Sequence, residues 1–227
     1  MQYKAPLRDM KFVMHELLKF EDHYKTIPSY AHTDKETIDS FIEAGASFSE
    51  AELSPLNRSG DEEGCRFENG NVYTPKGFKE AYKQYCELGF PSLCADEEFG
   101  GQGMPLSLGS AVNEMVGTAN WSFSMYPGLS EGAIRTLEHH GTDEQKQKYL
   151  TPLAQGMKGD DLFIGAFLLS EPEAGSDATS QRTTASPVLS RRAPRRTRHQ
   201  PFHRDRGRRA AVRHPPDRLQ CDGLHHD

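Results

Sequence analysis

Apolar side chains return every three or four positions through residues 1 to 155, the period of helices with one buried face. Leu7, Met10, Phe12, Val13, Leu17 and Leu18 predict a first helix. Thr33 followed by Glu36 has the spacing of a capping box, ahead of a segment carrying Ile38, Phe41, Ile42 and Ala44 on one side. Thr74-Pro75 sets a cap and then a proline at the first helical position, where its missing N–H costs nothing. A helix is therefore expected through GFKEAYKQYCEL, ending at Gly89-Phe90-Pro91. Leu106 to Val116 predicts a buried helix, and Thr142 with Gln145 predicts a second capping box, ahead of DEQKQKYLTPLA. Two stretches read as loops: the polar LNRSGDEEGCRFENG from Leu56 to Gly70, and EEFGGQGMP from Glu97 to Pro105. After Gly156 the pattern changes. Asp161 to Ser170 is an almost wholly apolar run bounded by Gly, Asp and Pro, the mark of a buried strand. The fold class expected is mainly α: a helical domain over 1–157, then the start of a β domain over 158–185.

Charge divides the chain again. Residues 186–227 hold 11 Arg, no Lys, no Glu and 4 Asp, a net of +7, while residues 1–185 hold 16 Lys and Arg against 29 Asp and Glu, a net of −13. So sharp an asymmetry marks a separate tail or a segment foreign to the fold. None of the four cysteines, Cys65, Cys86, Cys94 and Cys221, stands in a CxxC pair or beside a His at ligand spacing. Free thiols in a reducing cytoplasm follow. The start MQYKAPLRDM has no apolar core of a signal peptide, and no apolar run reaches the roughly 18 residues of a membrane span. A cytoplasmic protein is expected.

The apolar run stops in SEPEAGSD. Pro172 fixes φ and removes a donor, and Gly175 admits conformations that other residues resist. Ser170, Gly175, Ser176 and Asp177 leave N–H and hydroxyl groups near the end of the expected strand. Such a turn suits a ligand with several acceptors, such as a flavin pyrimidine edge or a phosphate. The same residues also make an ordinary strand-end turn. Other candidates are plainer. His139 and His140 are adjacent, so on a helix they diverge by about 100° and do not chelate one ion. Glu171 and Glu173 could form an acid–base pair but fit turn structure better. Trp121, Phe123 and Tyr126 are helix-packing residues or the wall of an apolar pocket, with Tyr126-Pro127-Gly128-Leu129 the stretch to watch.

LLSEPEAGSDATSQRTTA resembles the signature of the flavin-dependent acyl-CoA dehydrogenases, in which a strand runs into a [ST]-E-P-x-A-G-S-D loop. GTDEQKQKYLTPLAQG is similar to the stretch that closes that family's helical N-terminal domain. NEMVGTANWSFSMYPGLSEGAIRTLEHHGT and SPLNRSGDEEGCRFENGNVYTPKGFKEAY resemble its longer bacterial branch, whose members act on medium or long acyl-CoA and on methylthiopropanoyl-CoA. The resemblance covers residues 3 to 185. It implies an N-terminal helical domain of the acyl-CoA dehydrogenase type, the truncated start of a β domain, and FAD as cofactor. Phe167, Leu168, Leu169, Ser170, Glu171, Pro172, Glu173, Ala174, Gly175 and Ser176 would lie against the flavin. Ser170 would bond the isoalloxazine ring with the hydroxyl that Thr usually supplies. Ser176 would also contact the acyl-CoA, while Glu171 and Asp177 hold the turn. The implied reaction is α,β-dehydrogenation, a carboxylate base taking the α-proton as hydride leaves Cβ. Electron-transfer flavoprotein or another acceptor, and a homo-oligomer of the full-length enzyme, are the implied partners. No metal is implied.

The pattern then breaks. The family continues with G-T-K-x-[FW]-I, further strands and a C-terminal helical domain that supplies the base, so the chain itself contains no expected catalytic residue. Here residues 186–227 are rich in Arg, Pro and His, without apolar period. Three readings fit: a basic tail for nucleic acid, a disordered extension, or translation in a shifted frame. Lys is absent and Phe202 is the lone aromatic, which disfavours nucleic acid. The degenerate codons of Arg198 to His203, moved by one nucleotide, can read Gly-Thr-Asn-His-Phe-Ile. The sequence therefore points to a shifted frame and to a chain inactive by itself.

Overall fold

The computed structural model describes residues 2–159 and 161–166. Helix α1 (Leu7–Lys11) runs on through a wide π turn, Phe12–Leu17, and α2 (Phe20–Lys25) follows. The first helix is where the apolar spacing puts it, but its packed face is not. Met14 is buried, Leu7 and Met10 pack partly, and Phe12, Val13, Leu17 and Leu18 stay exposed. Polar contacts help fasten this segment: both ring nitrogens of the half-buried His15 meet carboxylates, Nδ1 at 2.7 Å from Glu21 and Nε2 at 3.0 Å from Asp39.

Helix α3 (Lys35–Phe48) begins one residue later than the expected cap. Asp34 accepts from the Thr37 N–H at 2.8 Å, while Thr33 is buried, its hydroxyl against the Met104 sulfur. An acidic side chain at that position satisfies an otherwise orphaned donor of the first turn. The helix continues through a π turn, Ser49–Leu53, into α4 (Ser54–Glu63). The loop expected from Leu56 to Gly70 is thus corrected: its first half is helix. Gly60 is there because the Phe78 ring lies against the backbone, 2.5 Å from where a Cβ would sit. The second half is a hairpin, β1 (Arg66–Glu68) pairing antiparallel with β2 (Asn71–Tyr73). Asn69 and Gly70 both have positive φ, the turn that Asn-Gly favours.

Helix α5 (Phe78–Glu87) starts after Gly77, three residues past the expected Thr74-Pro75 cap, and ends as anticipated at Gly89, which is left-handed. Helices α6 (Leu106–Ala119) and α7 (Trp121–His140) meet at Asn120, extended and buried. The main core lies where Ile38, Ile42 and Ala46 of α3 face Leu108, Val112 and Met115 of α6. A knot of rings continues it: Phe48, Phe78, Tyr82, Tyr85, Phe90, Phe123 and Tyr126, with centroids 5.4–6.4 Å apart. Such offset and edge-on pairs add to the burial of apolar area.

The Thr142–Gln145 capping box forms as expected, opening α8 (Asp143–Gln145), a π turn Lys146–Leu150 and α9 (Thr151–Ala154). Leu150, Leu153 and Ala154 pack with Ile134 and Ala95 in a second, smaller core. A short hairpin ends the described chain, β3 (Met157–Lys158) with β4 (Asp161–Leu162). The strand expected over Asp161–Ser170 is therefore strand only at its start among the described residues. Phe163 donates to Gly156 C=O at 2.8 Å and Gly165 to the Ser130 hydroxyl at 3.0 Å, which leaves residues 163–166 without ladder partners there. Among the described residues no helix is long and apolar enough to cross a membrane.

Candidate functional site

Helices α6 and α7, joined at Asn120, border a cavity of about 790 Å³ together with the 90–97 connection. Gly109, Val112 and Asn113 line it from α6; Pro127, Ser130, Glu131, Ile134 and Arg135 line it from α7. Several of its polar groups are already engaged. Asn113 Nδ2 donates to Glu131 at 3.2 Å, Arg135 meets Glu131 at 3.4 Å, and Glu138 accepts from the Asp96 N–H at 3.0 Å. A second cavity of about 210 Å³ shares Asn113 and Pro127. Val116, Trp121, Met125 and Leu129 make its wall largely apolar.

Two residues of the watched Tyr126–Leu129 stretch shape this slot. Pro127 withholds an N–H from the middle of α7, and Gly128 leaves the space in front of its backbone empty within 4 Å. The aromatic candidates separate. Phe123 is fully buried and Tyr126 packs on Phe78 and Phe123, so both are core, while the exposed Trp121 stands at the slot.

The glycine-bearing connection is a closed turn. The N–H groups of residues 100–104 all donate inward, to Glu97, Asp96, Ser92, Ala95 and Leu93 carbonyls, at 2.9–3.0 Å. That leaves no main-chain donor of this turn for a phosphate. His139 and His140 have ring centroids 6.3 Å apart at 60°, and no group of three His, Cys, Asp or Glu could hold a metal among the described residues. Burial pushes the Cys94 thiol up to about 11, with the Glu131 carboxylate adding to it, and the Cys86 thiol up to about 12, with Glu87 adding. Neither is a ready nucleophile at neutral pH. The predicted cofactor segment, Phe167 to Ser176, lies outside the described residues, as does Cys221. The structure does place the approach to it: Gly165, two positions earlier, rests on α7.

The family model described as "Acyl-CoA dehydrogenase, N-terminal domain" matches residues 35–157, which run from the start of α3 to β3. The chain belongs to the acyl-CoA dehydrogenase family. The 3-methylmercaptopropionyl-CoA dehydrogenase of Ruegeria pomeroyi is 37% identical over 187 residues, covering 82% of this chain and 31% of the relative. A butyryl-CoA dehydrogenase of Syntrophomonas wolfei is 31% identical over 192 residues, 82% of this chain and 30% of the relative. A solved chain from a study of the electron transferring flavoprotein of Acidaminococcus fermentans superposes with a TM-score of 0.54 at 26% identity. That likeness covers 67% of this chain and 36% of the solved one. The chain thus matches about a third of the length of these relatives.

The sequence reading missed Asn113, Ser130, Glu131 and Arg135 as cavity residues. Each is a polar residue inside a helix, and only the packing of α6 with α7 brings them to one space.

Proposed function

We propose that this chain is the helical portion and first flavin-contacting segment of an FAD-dependent acyl-CoA dehydrogenase. The observation that carries the reading is the α6–α7 cavity beside the approach to Phe167–Ser176, inside a domain matched by the family model. The apolar slot at Val116, Met125 and Leu129 takes the acyl chain, a fatty acyl or methylthiopropanoyl group on CoA. Phe167, Leu168, Leu169, Ser170, Glu171, Pro172, Glu173, Ala174, Gly175 and Ser176 hold the flavin, with Ser176 shared by the substrate. FAD supplies the hydride acceptor when bound. The 100–104 turn does not compete for the cofactor, since its amides are satisfied internally. Electron-transfer flavoprotein or a similar acceptor removes the electrons, and the full-length enzyme is a homo-oligomer. Residues 186–227 are out-of-frame sequence, and the 227-residue chain does not turn over alone.

The test is to read the gene in all frames from Gln181 and express the chain with the alternative frame restored. A yellow protein whose flavin bleaches anaerobically with an acyl-CoA is expected. A shifted frame that closes at once, or a restored protein that binds no flavin, overturns the proposal. Salt-sensitive binding of nucleic acid by residues 186–227 would instead make the tail the functional part.

A further inference from the structure

Ser130 belongs to two places at once. From α7 it lines the larger cavity, and it is only 2% exposed. Its oxygen also accepts the Gly165 N–H at 3.0 Å, across 35 positions of sequence. The polarity of that bond is fixed locally. The Ser130 hydroxyl donates to Tyr126 C=O one turn back, at 3.4 Å, so its proton is used within α7 and a lone pair is left for Gly165. The buried Tyr82 hydroxyl neighbours Ser130 but makes no hydrogen bond of ordinary geometry. The backbone of Gly165 lies flush on the helix. A Cβ there would meet Ala133 Cβ and Ser130 Cα at 3.2 Å and Leu153 Cδ1 at 3.5 Å. The chain leaves this point and reaches Phe167 two residues later.

We propose that Ser130 is a positioning residue, whose hydroxyl sets where the chain leaves α7 on its way into the Phe167–Ser176 segment. The inference rests on the flavin reading of that segment given above. One buried side chain then joins the wall of the larger cavity to the chain that leads into the proposed flavin-contacting segment. It touches neither the reacting atoms nor the cofactor. Its effect passes through the Gly165 main chain.

Amide exchange of Gly165, followed by NMR on the 227-residue chain, decides the geometric half. Ser130→Ala removes the acceptor, and Gly165 should exchange about tenfold faster, the loss expected for one part-buried hydrogen bond. Ser130→Thr keeps the hydroxyl and should restore the wild-type rate to within about twofold. Tyr82→Phe leaves the Ser130 acceptor of the Gly165 bond in place and should leave the rate unchanged. Unaltered exchange in Ser130→Ala overturns the inference. So does equal acceleration in Tyr82→Phe, which would report general loosening. If Ser130→Ala does not fold, Ser130→Cys, similar in size with a weaker acceptor, takes its place. The functional half is read in the frame-restored protein: the visible flavin bands should shift in Ser130→Ala and return in Ser130→Thr. Identical spectra in all three overturn it. A restored protein without flavin sinks the functional proposal itself, while Gly165 exchange still judges the bond.

Discussion

Asn120 Nδ2 donates to the Leu53 carbonyl at 3.3 Å, joining the α6–α7 corner to the end of the π turn after α3, 67 residues earlier in the chain. The other side of the same amide caps α7: Asn120 Oδ1 accepts the Phe123 N–H at 3.0 Å. The residue is fully buried, so both ends of its side chain are satisfied inside the core. Asn120→Ala should lose the cap and orphan a buried carbonyl, about 2–4 kcal/mol in all. Urea unfolding measures it. Asn120→Asp should not rescue, because it keeps the acceptor but puts a carboxylate beside a carbonyl in the core.

Two glycines inside helices should respond to alanine with opposite signs. Gly60 has the Phe78 ring 2.5 Å from a would-be Cβ, so Gly60→Ala should destabilise by about 1–3 kcal/mol through overpacking. Gly128 has open space, so Gly128→Ala should stabilise by about 0.5–1 kcal/mol through helix propensity. Thermal unfolding of the pair checks this. Equal shifts would mean that the Phe78 contact does not restrict the site.

Stability in acid should depend on Asp39. Burial pulls its pKa upward, but hydrogen bonds from Lys35, His15 and Lys11 outweigh burial and hold it at about 2, below the ordinary 3.8. A depressed carboxylate contributes fully above its unfolded value and loses that contribution as pH falls through the folded one. Glu43, which also pairs with Lys11, and Glu21, which pairs with His15, face the same cluster. The urea midpoint of the wild type should therefore fall between pH 3.8 and about 2 more steeply than that of Asp39→Asn. Parallel curves would remove Asp39 from the account.

Thiol reactivity should follow burial. Cys65 is exposed, whereas desolvation lifts Cys86 to about 12 and Cys94 to about 11. In native protein near pH 8, a thiol reagent mapped by peptide should mark Cys65 well before Cys86 or Cys94, and denaturant should abolish the difference. Early labelling of Cys94 would mean that the α6–α7 cavity admits reagent to its sulfur.

Sequence alone determined the features that depend on near neighbours. The Thr142–Gln145 capping box, the stop at Gly89 and the buried α6 helix each need only residues within a few positions, and each is present. Asn69-Gly70 carries a local hairpin signal that the loop reading of Leu56 to Gly70 passed over. The family was legible because its motif is a run of consecutive residues. Tertiary structure decided the rest. Gly60 reads as a breaker until the Phe78 ring is seen to need its missing Cβ. The 100–104 glycines read only as a loop until their amides are seen to close on 92–97 carbonyls. Ser130 is an unremarked helix serine until Gly165 arrives from 35 residues away. Periodicity encodes which face of a helix is apolar, but which backbone comes close enough to need a glycine, a hydroxyl or an amide is fixed only when the helices pack.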